Sequence, residues 1–522
     1  MKVFDSIKRK ALLSLTLTFG ILFAAATALI YYLEMPLAYG FYVSLTVAGL
    51  QYLLGPFIIE MLFEISFERD IKDTDPRLYE FLERTCSELG MPMPKIGIID
   101  DGNPNAFTYG HIPRNARIVV TTGLIDLLTE EELEAVAAHE LGHIKNYDFI
   151  LMTIVSVIPM LLYQIYAFTN RDKGKPTYLI GLMAYGAYII SQYAVLFFSR
   201  VREYYADNFS VRTVNSDDAL GSALVKIAYG FVKVENKKPA KANALGVVNN
   251  LQSQSFVLNN YKAAECGKVI EKLINWDIKS IWGRLYELSS THPLTAKRIM
   301  AMKGKNIENR GISFKQVSSF AAQVFLNYLP HAAAVILSIS SIRENFAWRM
   351  PLAGIARGLY ESFIANPVNM AVFGAALLIR YYYIYGNKHQ ANSIEELLMR
   401  EDASPIKGIP AVLEGTIVGR GIPGLFYSED LIIDDGSGIM LLDYKQPLRF
   451  LEFLFGTFLV EELIERKVKV VGWYRRANRP YFLCKNIVMR DKKVVCYPYL
   501  INKIAGYAFL AAGLITYIFR MI

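Results

Sequence analysis

The residues best equipped for chemistry are His139, Glu140 and His143, in the run Ala138-His139-Glu140-Leu141-Gly142-His143-Ile144. Histidines four residues apart share one face of an α-helix, about 5.4 Å apart along its axis, so both imidazoles reach a single ion. A hydrolytic zinc centre needs such neutral nitrogen ligands and one open position for water. Glu140 follows the first histidine and is close enough to that water to take its proton. This is the HExxH pattern of zinc-dependent peptide hydrolysis. The flanks supply the helix it requires: Thr129-Glu130-Glu131-Glu132 has the form of a capping box, and Leu133, Val136, Ala137 and Leu141 give an apolar face. They weigh against a helix that carries His, Glu and His by chance.

Two histidines and a water leave one protein ligand to find. Ile144-Lys145-Asn146-Tyr147-Asp148 holds no third histidine, so a glutamate on another helix is expected. Glu203, Glu235, Glu265, Glu271 and Glu287 are downstream candidates. Geometry chooses among them. Apolar runs at Phe149 to Phe168 and Thr177 to Phe198 form a hairpin whose loop centres near Lys173, 30 residues after His143 and 30 before Glu203. Both residues then lie about 45 Å from the turn and come level. Asp207, one turn beyond Glu203, faces the same way and is placed to accept the second ring N–H of a zinc histidine.

The elements that position these residues belong to a membrane protein. Of 522 residues 53% are hydrophobic and 20% charged, and the mean hydropathy is +0.26, too apolar for an ordinary soluble enzyme. The net charge of +8 is scattered and bears on membrane orientation more than on nucleic acid. Cys86, Cys266, Cys484 and Cys496 form no CxxC pair; neither a disulfide framework nor a cysteine metal site is expected. Runs at Ala11 to Leu33 and Leu37 to Ile59 read as an opening hairpin, and the run of Ala11 outlasts the signal-peptide reading suggested by Ala26-Thr27-Ala28. Lys2, Lys8, Arg9 and Lys10 place the N-terminus in the cytoplasm. Further spans are expected at Ala321 to Ser341, Pro367 to Tyr385 and Ile504 to Phe519. Between Glu60 and Asp148, Asp75-Pro76 starts a helix that Gly90 ends. Extended pieces follow at Lys95 to Asp100, Ala106 to Gly110 and Arg117 to Thr121. Ile406 to Pro498 alternates apolar and polar residues with Gly and Asp turns, which suggests a small β-barrel or sandwich.

Asn105-Ala106-Phe107, His139-Glu140-Leu141-Gly142-His143, Arg202-Glu203-Tyr204-Tyr205-Ala206-Asp207 and Thr291-His292-Pro293 occur in the order found in HtpX-like membrane metallopeptidases. The type I CAAX prenyl endopeptidases are more distant relatives. The resemblance covers roughly Met1 to Met302. It implies that Asn105, Ala106 and Phe107 belong to an edge strand that pairs with an extended substrate, in line with strand addition as a way to hold peptides. It also implies that His292 acts near the reacting carbonyl, donating to the oxyanion. The stretch Lys233 to Asn260 looks expanded relative to the family, and everything after about Phe320 is extra.

The expected fold is a mainly α integral membrane protein: a helical zincin-type metallopeptidase domain with a small edge sheet, plus a C-terminal β-barrel or sandwich. The expected division is a transmembrane hairpin (1–60), a metallopeptidase domain (61–320) containing the hairpin 149–198, and two further spans (321–386). A β-rich soluble domain (387–502) and a last span (503–522) complete it. The expected function is zinc-dependent hydrolysis of peptide bonds in membrane or misfolded proteins at the cytoplasmic surface of a multi-pass cell-membrane protein. His139, His143 and Glu203 hold Zn2+, and Glu140 is the base. A CAAX-type processing protease and a catalytically silent scaffold are the alternatives, and intact Glu140 counts against the second. The expected partners are a polypeptide and the bilayer. No nucleic acid is expected, because Arg475-Arg476 and Lys492-Lys493 are offset by Asp434-Asp435 and Glu461-Glu462.

Overall fold

The computed structural model describes residues 36–67, 71–169, 177–229, 272, 274–304, 313–345, 366–400, 402–425, 427–477 and 479–522. Its main elements begin with helices α1 (Leu37–Leu62) and α2 (Pro76–Glu88) and strands β1 (Lys95–Ile99), β2 (Ala106–Tyr109) and β3 (Arg117–Thr121). Helices α3 (Glu130–Lys145), α4 (Asp148–Thr169), α5 (Thr177–Val214), α6 (Asp217–Tyr229), α7 (Thr295–Met302), α8 (Phe314–Asn345) and α9 (Pro367–Ile384) follow. The C-terminal part holds β4 (Ile409–Arg420), β5 (Leu431–Asp434), β6 (Ile439–Asp443), α10 (Arg449–Phe458), β7 (Lys467–Arg475), β8 (Tyr481–Val488) and a last helix, α11 (Pro498–Met521).

Five described helices are long and apolar enough to cross a bilayer, within α1, α4, α5, α8 and α11. Their outward side chains, such as Leu53, Ile154, Ile158, Met183 and Ile190, are exposed, as expected of helices apolar all round that face lipid. The shorter α9, which carries Arg380 and three tyrosines, packs along α11. The expected first span, Ala11 to Leu33, lies outside the described residues.

Two features of the hairpin set the position of the site. Helix α5 continues past the end of the apolar run at Phe198 to Val214, so Glu203 and Asp207 sit on a rigid extension of it, as the level count along the hairpin requires. Helix α3 does not run unbroken into α4. Tyr147 takes a positive φ of 55°, which a helix cannot hold, so the chain turns between Lys145 and Asp148.

In the small sheet the order is β1-β3-β2, with β1 parallel and β2 antiparallel to β3. Among the described residues β2 is thus an edge strand. Alternation divides its neighbours: Ala106, Ile118 and Val120 join the core shared with α2 and α3, whereas Phe107, Tyr109 and Val119 face the other way, into a separate core. Local signals set the helices around it. Asp75 caps α2 by accepting from Leu78 N–H, and Thr129 and Glu132 form the capping box of α3, contacts worth about 1 kcal/mol each.

The C-terminal strands close on themselves. Strand β4 pairs antiparallel with both β5 and β7, β5 with β6, β6 runs parallel to β8, and β8 pairs with β7. This cycle, with α10 between its third and fourth strands, is the five-stranded Greek-key barrel of the OB type. Leu413, Ile417, Ile433, Met440, Leu442, Val470 and Phe482 fill it. The barrel decides between the two β-architectures the alternation allowed. It is tethered at both ends, by α9 before it and α11 after it.

Candidate metal centre

Helix α3 presents His139 and His143 toward α5, and Gly142 lets the two helices close. A Cβ at position 142 would sit 3.1 Å from Ala206 Cα and 3.1 Å from a Phe209 ring carbon. Ser210 Oγ donates to Ala135 O at 2.6 Å across the same contact. The result is a buried triad in which one donor atom each from His139, His143 and Glu203 lie within 4.8 Å of one another. The two Nε2 atoms are 3.2 Å apart. Glu203 Oε2 lies 3.7 Å from His139 Nε2, and Oε1 3.7 Å from His143 Nε2. Tetrahedral donors held at zinc-like bond lengths are separated by about 3.3 Å.

Both rings are oriented from behind. Asp207 Oδ1 is 3.1 Å from His139 Nδ1, and Asp148 Oδ2 is 2.5 Å from His143 Nδ1. Each carboxylate holds a proton on Nδ1, so the Nε2 lone pairs point at one another and at Glu203. Lone pairs converging without a proton between them call for a cation, and this donor set fits one. With no ion bound, burial alone would lower the His139 pKa, but hydrogen bonds donated to the Asp207 and Glu203 carboxylates outweigh it and raise the ring to about 9, so a proton takes the place a cation would fill. The pocket is built for positive charge.

The remaining expected residues group around this centre. Glu140, buried on α3, accepts a hydrogen bond from Thr108 Oγ1 of the edge strand at 2.5 Å. The strand segment Ala106–Tyr109 therefore runs beside the proposed base, with Asn105 just before it. Phe107 points into the core on the far side of the sheet, so any contact of Phe107 with substrate runs through its backbone. His292 lies with Nδ1 2.7 Å from Glu203 Oε2, which places it against the third donor. Glu287 is instead paired with Lys297, and Glu235, Glu265 and Glu271 lie outside the described residues.

Three contributors escaped sequence reasoning. Asp148 reaches His143 only because the chain turns at Tyr147. Thr108 reaches Glu140 only through the packing of β2 on α3. Arg298, on α7, grips Asp207 through Nε at 2.8 Å and Nη2 at 2.5 Å and comes within 3.6 Å of Glu203. A signal for Arg298 does exist: it falls three residues after buried Thr295, on the helix face that also carries Ala296 and Ile299. A cation on an apolar face needs a buried partner.

Residues 72–306 match the family model of peptidase family M48. Among curated proteins, the chain is 37% identical over 235 residues to a "Protease HtpX homolog" of Methanothermobacter thermautotrophicus, covering 45% of this chain and 90% of that one. It is 33% identical over 261 residues to the Thermococcus sibiricus homolog (47% and 78% covered) and 32% identical over 263 residues to that of Dictyoglomus turgidum (48% and 86%). Among solved structures it matches S. mikatae Ste24p with a TM-score of 0.34 at 17% identity, over 58% of this chain and 66% of that one. The α8–α11 region and the barrel lie beyond the residues that match the family. With five candidate spans and a converged His-His-Glu triad, the chain is an integral membrane protein and belongs to the HtpX-like M48 peptidases.

Proposed function

We propose that the protein is a zinc-dependent endopeptidase that cuts polypeptides, membrane or misfolded proteins among them, at the cytoplasmic face of a cell membrane. One observation carries this reading: the triad, the carboxylate of Glu140 and the edge of β2 left unpaired among the described residues meet at one place, joined by the Thr108–Glu140 hydrogen bond. His139, His143 and Glu203 would hold the ion, which when bound supplies Lewis-acid polarisation and a water acidic enough to deprotonate near neutral pH.

The chain's own residues supply the rest. The edge of β2 offers backbone N–H and C=O groups to an extended peptide, which fixes its direction past the site. Glu140 takes a proton from water and passes it to the leaving amine. Thr108 holds that carboxylate in place beforehand, so little reorganisation is needed. His292, beside Glu203, is positioned to donate to charge that develops on the carbonyl oxygen, a contact usually worth about 2.7–4 kcal/mol. The orientation with the site in the cytoplasm rests on the Lys-rich N-terminus and an even number of preceding spans.

The test is identification of the peptide bonds cut by purified, zinc-loaded protein acting on an unfolded membrane-protein substrate, compared with Glu140→Gln. The variant should retain its zinc, since Glu140 is not among the ligands, and lose cleavage by about 10²–10⁴-fold. Near-wild-type cleavage by the variant would remove Glu140 as the base.

A further inference from the structure

The barrel lies outside the family match, yet its outer face is not free. Barrels of this connectivity take ligands across their second and third strands and the loops joining strands one to two and four to five. Here Ile432 and Leu441 project outward from those two strands, and Ile422, Leu425 and Ala477 occupy those two loops. All five are buried, and they share one core with Phe107, Tyr109 and Val119 of the small sheet. The sheet is therefore a middle layer, with the zinc-ligand helix α3 on one face and the barrel on the other.

Hydrogen bonds at the rim of this seam hold the turn that leads into β2. Gly102 N–H donates to Val418 O at 3.1 Å and Arg420 N–H to Asp101 Oδ2 at 3.1 Å. Asn103 Nδ2 donates to Arg420 O and Gly421 O at 3.0 and 3.1 Å. The turn passes the constraint on: Thr121 Oγ1 donates to Asn103 O and accepts from Asn105 N–H, both at 2.9 Å. Three residues later comes Thr108, on Glu140. The fit leaves no slack, since a Cβ at Gly419 of the barrel would lie 2.1 Å from Asp101 Oδ1. A second contact reaches the other side of the cleft. Arg476 of the barrel lies over the Trp276 ring at 4.8 Å, and the adjacent Asp277 accepts from Tyr229 OH at 2.5 Å and from Ala296 N–H of α7 at 3.4 Å.

We propose that the barrel is a positioning device for the peptidase cleft: its ligand face, occupied by the chain's own sheet, fixes the Asp101–Asn105 turn and with it the placement of β2 beside Glu140. The surface that other such barrels offer to oligonucleotides is used here internally. Asp101, Asn103 and Arg420 are positioning residues, none of which touches the metal donors. The proposal rests on β2 being the strand that receives substrate.

The experiment uses the full chain in detergent, with Gly419→Ala to wedge the seam and Asn103→Ala to remove two of its bonds without adding bulk. Hydrogen exchange over residues 103–109 should rise about ten-fold in Gly419→Ala and less in Asn103→Ala, while exchange over 133–143 and zinc content stay at wild-type values. Peptide KM should rise about five-fold or more with kcat within about two-fold, the pattern of lost substrate placement. Unchanged exchange over 103–109 in both variants overturns the proposal. So does a rise spread equally over 133–143, which makes the seam a general stability contact. Should the wild-type protein cut no peptide, the endopeptidase reading fails by itself, and the exchange measurements still decide whether the barrel positions β2.

Discussion

Replacing Arg298 with methionine probes the deepest part of the metal centre while leaving every donor atom in place. Arg298 is 7% exposed and Asp207 1%, and the guanidinium holds both carboxylate oxygens. Breaking a buried pair by removing one partner costs about 3–5 kcal/mol, because the other charge is left without compensation. Asp207 keeps one contact, the 3.1 Å approach to His139 Nδ1, so part of that cost falls on the histidine's orientation. Loss of a group that orients a metal ligand typically weakens binding about 10–100-fold, or about 1.4–2.7 kcal/mol. Zinc affinity of Arg298→Met should fall within that range by competition with a chromogenic chelator, accompanied by a lower melting temperature. Arg298→Lys keeps the charge but not the two-pronged geometry and should fall between wild type and methionine. A folded Arg298→Met that binds zinc within about two-fold of wild type would refute the reasoning, and Asp207 would then be held by its helix alone.

Glu203→Gln should lose zinc, whereas Glu235→Gln and Glu287→Gln should retain it; equal metal content in all three would remove Glu203 from the site. Burial raises the Asp101 carboxyl to about 7 from 3.8, so between about pH 4 and 7 the folded chain holds a proton that the unfolded chain has released. Its contribution to stability is therefore full at the acid end, declines as pH rises through 7 and is constant above, by about 4 kcal/mol at most. Thermal unfolding of wild type should fall more steeply from pH 5 to 8 than that of Asp101→Asn, and parallel slopes would contradict this. A membrane-impermeant thiol probe applied to intact cells should label a cysteine at Gly174 but not at Ser437, and the reverse pattern would invert the topology.

Much of the site is legible along the chain because its signals are periodic or local. The four-residue spacing of His139 and His143 is a property of one helix turn. The match of Glu203 to His143 follows from counting equal lengths along the two arms of a hairpin, and it survives the break at Tyr147, since the two side chains still meet in one cluster. The alternation in 406–498 signals strands with one face on a core, as in a barrel or a sandwich, since successive side chains in a strand must point to opposite sides. Capping at Thr129 and Asp75 depends on residues three apart.

What the chain does not announce is which surfaces meet. Asn103 bonds to Arg420 and Gly421, more than three hundred residues away, and Arg298 bonds to Asp207 across 91 positions. No period links such positions, and each side chain has many other partners of suitable chemistry. Phe107 shows the difference in one residue. Its strand was readable from the residues and its edge position was implied by the resemblance, but the direction of its ring, into the barrel's outer face and away from the cleft, was decided by tertiary packing. The two faces of a strand look alike in sequence when both end up buried, and only the folded molecule says what covers each.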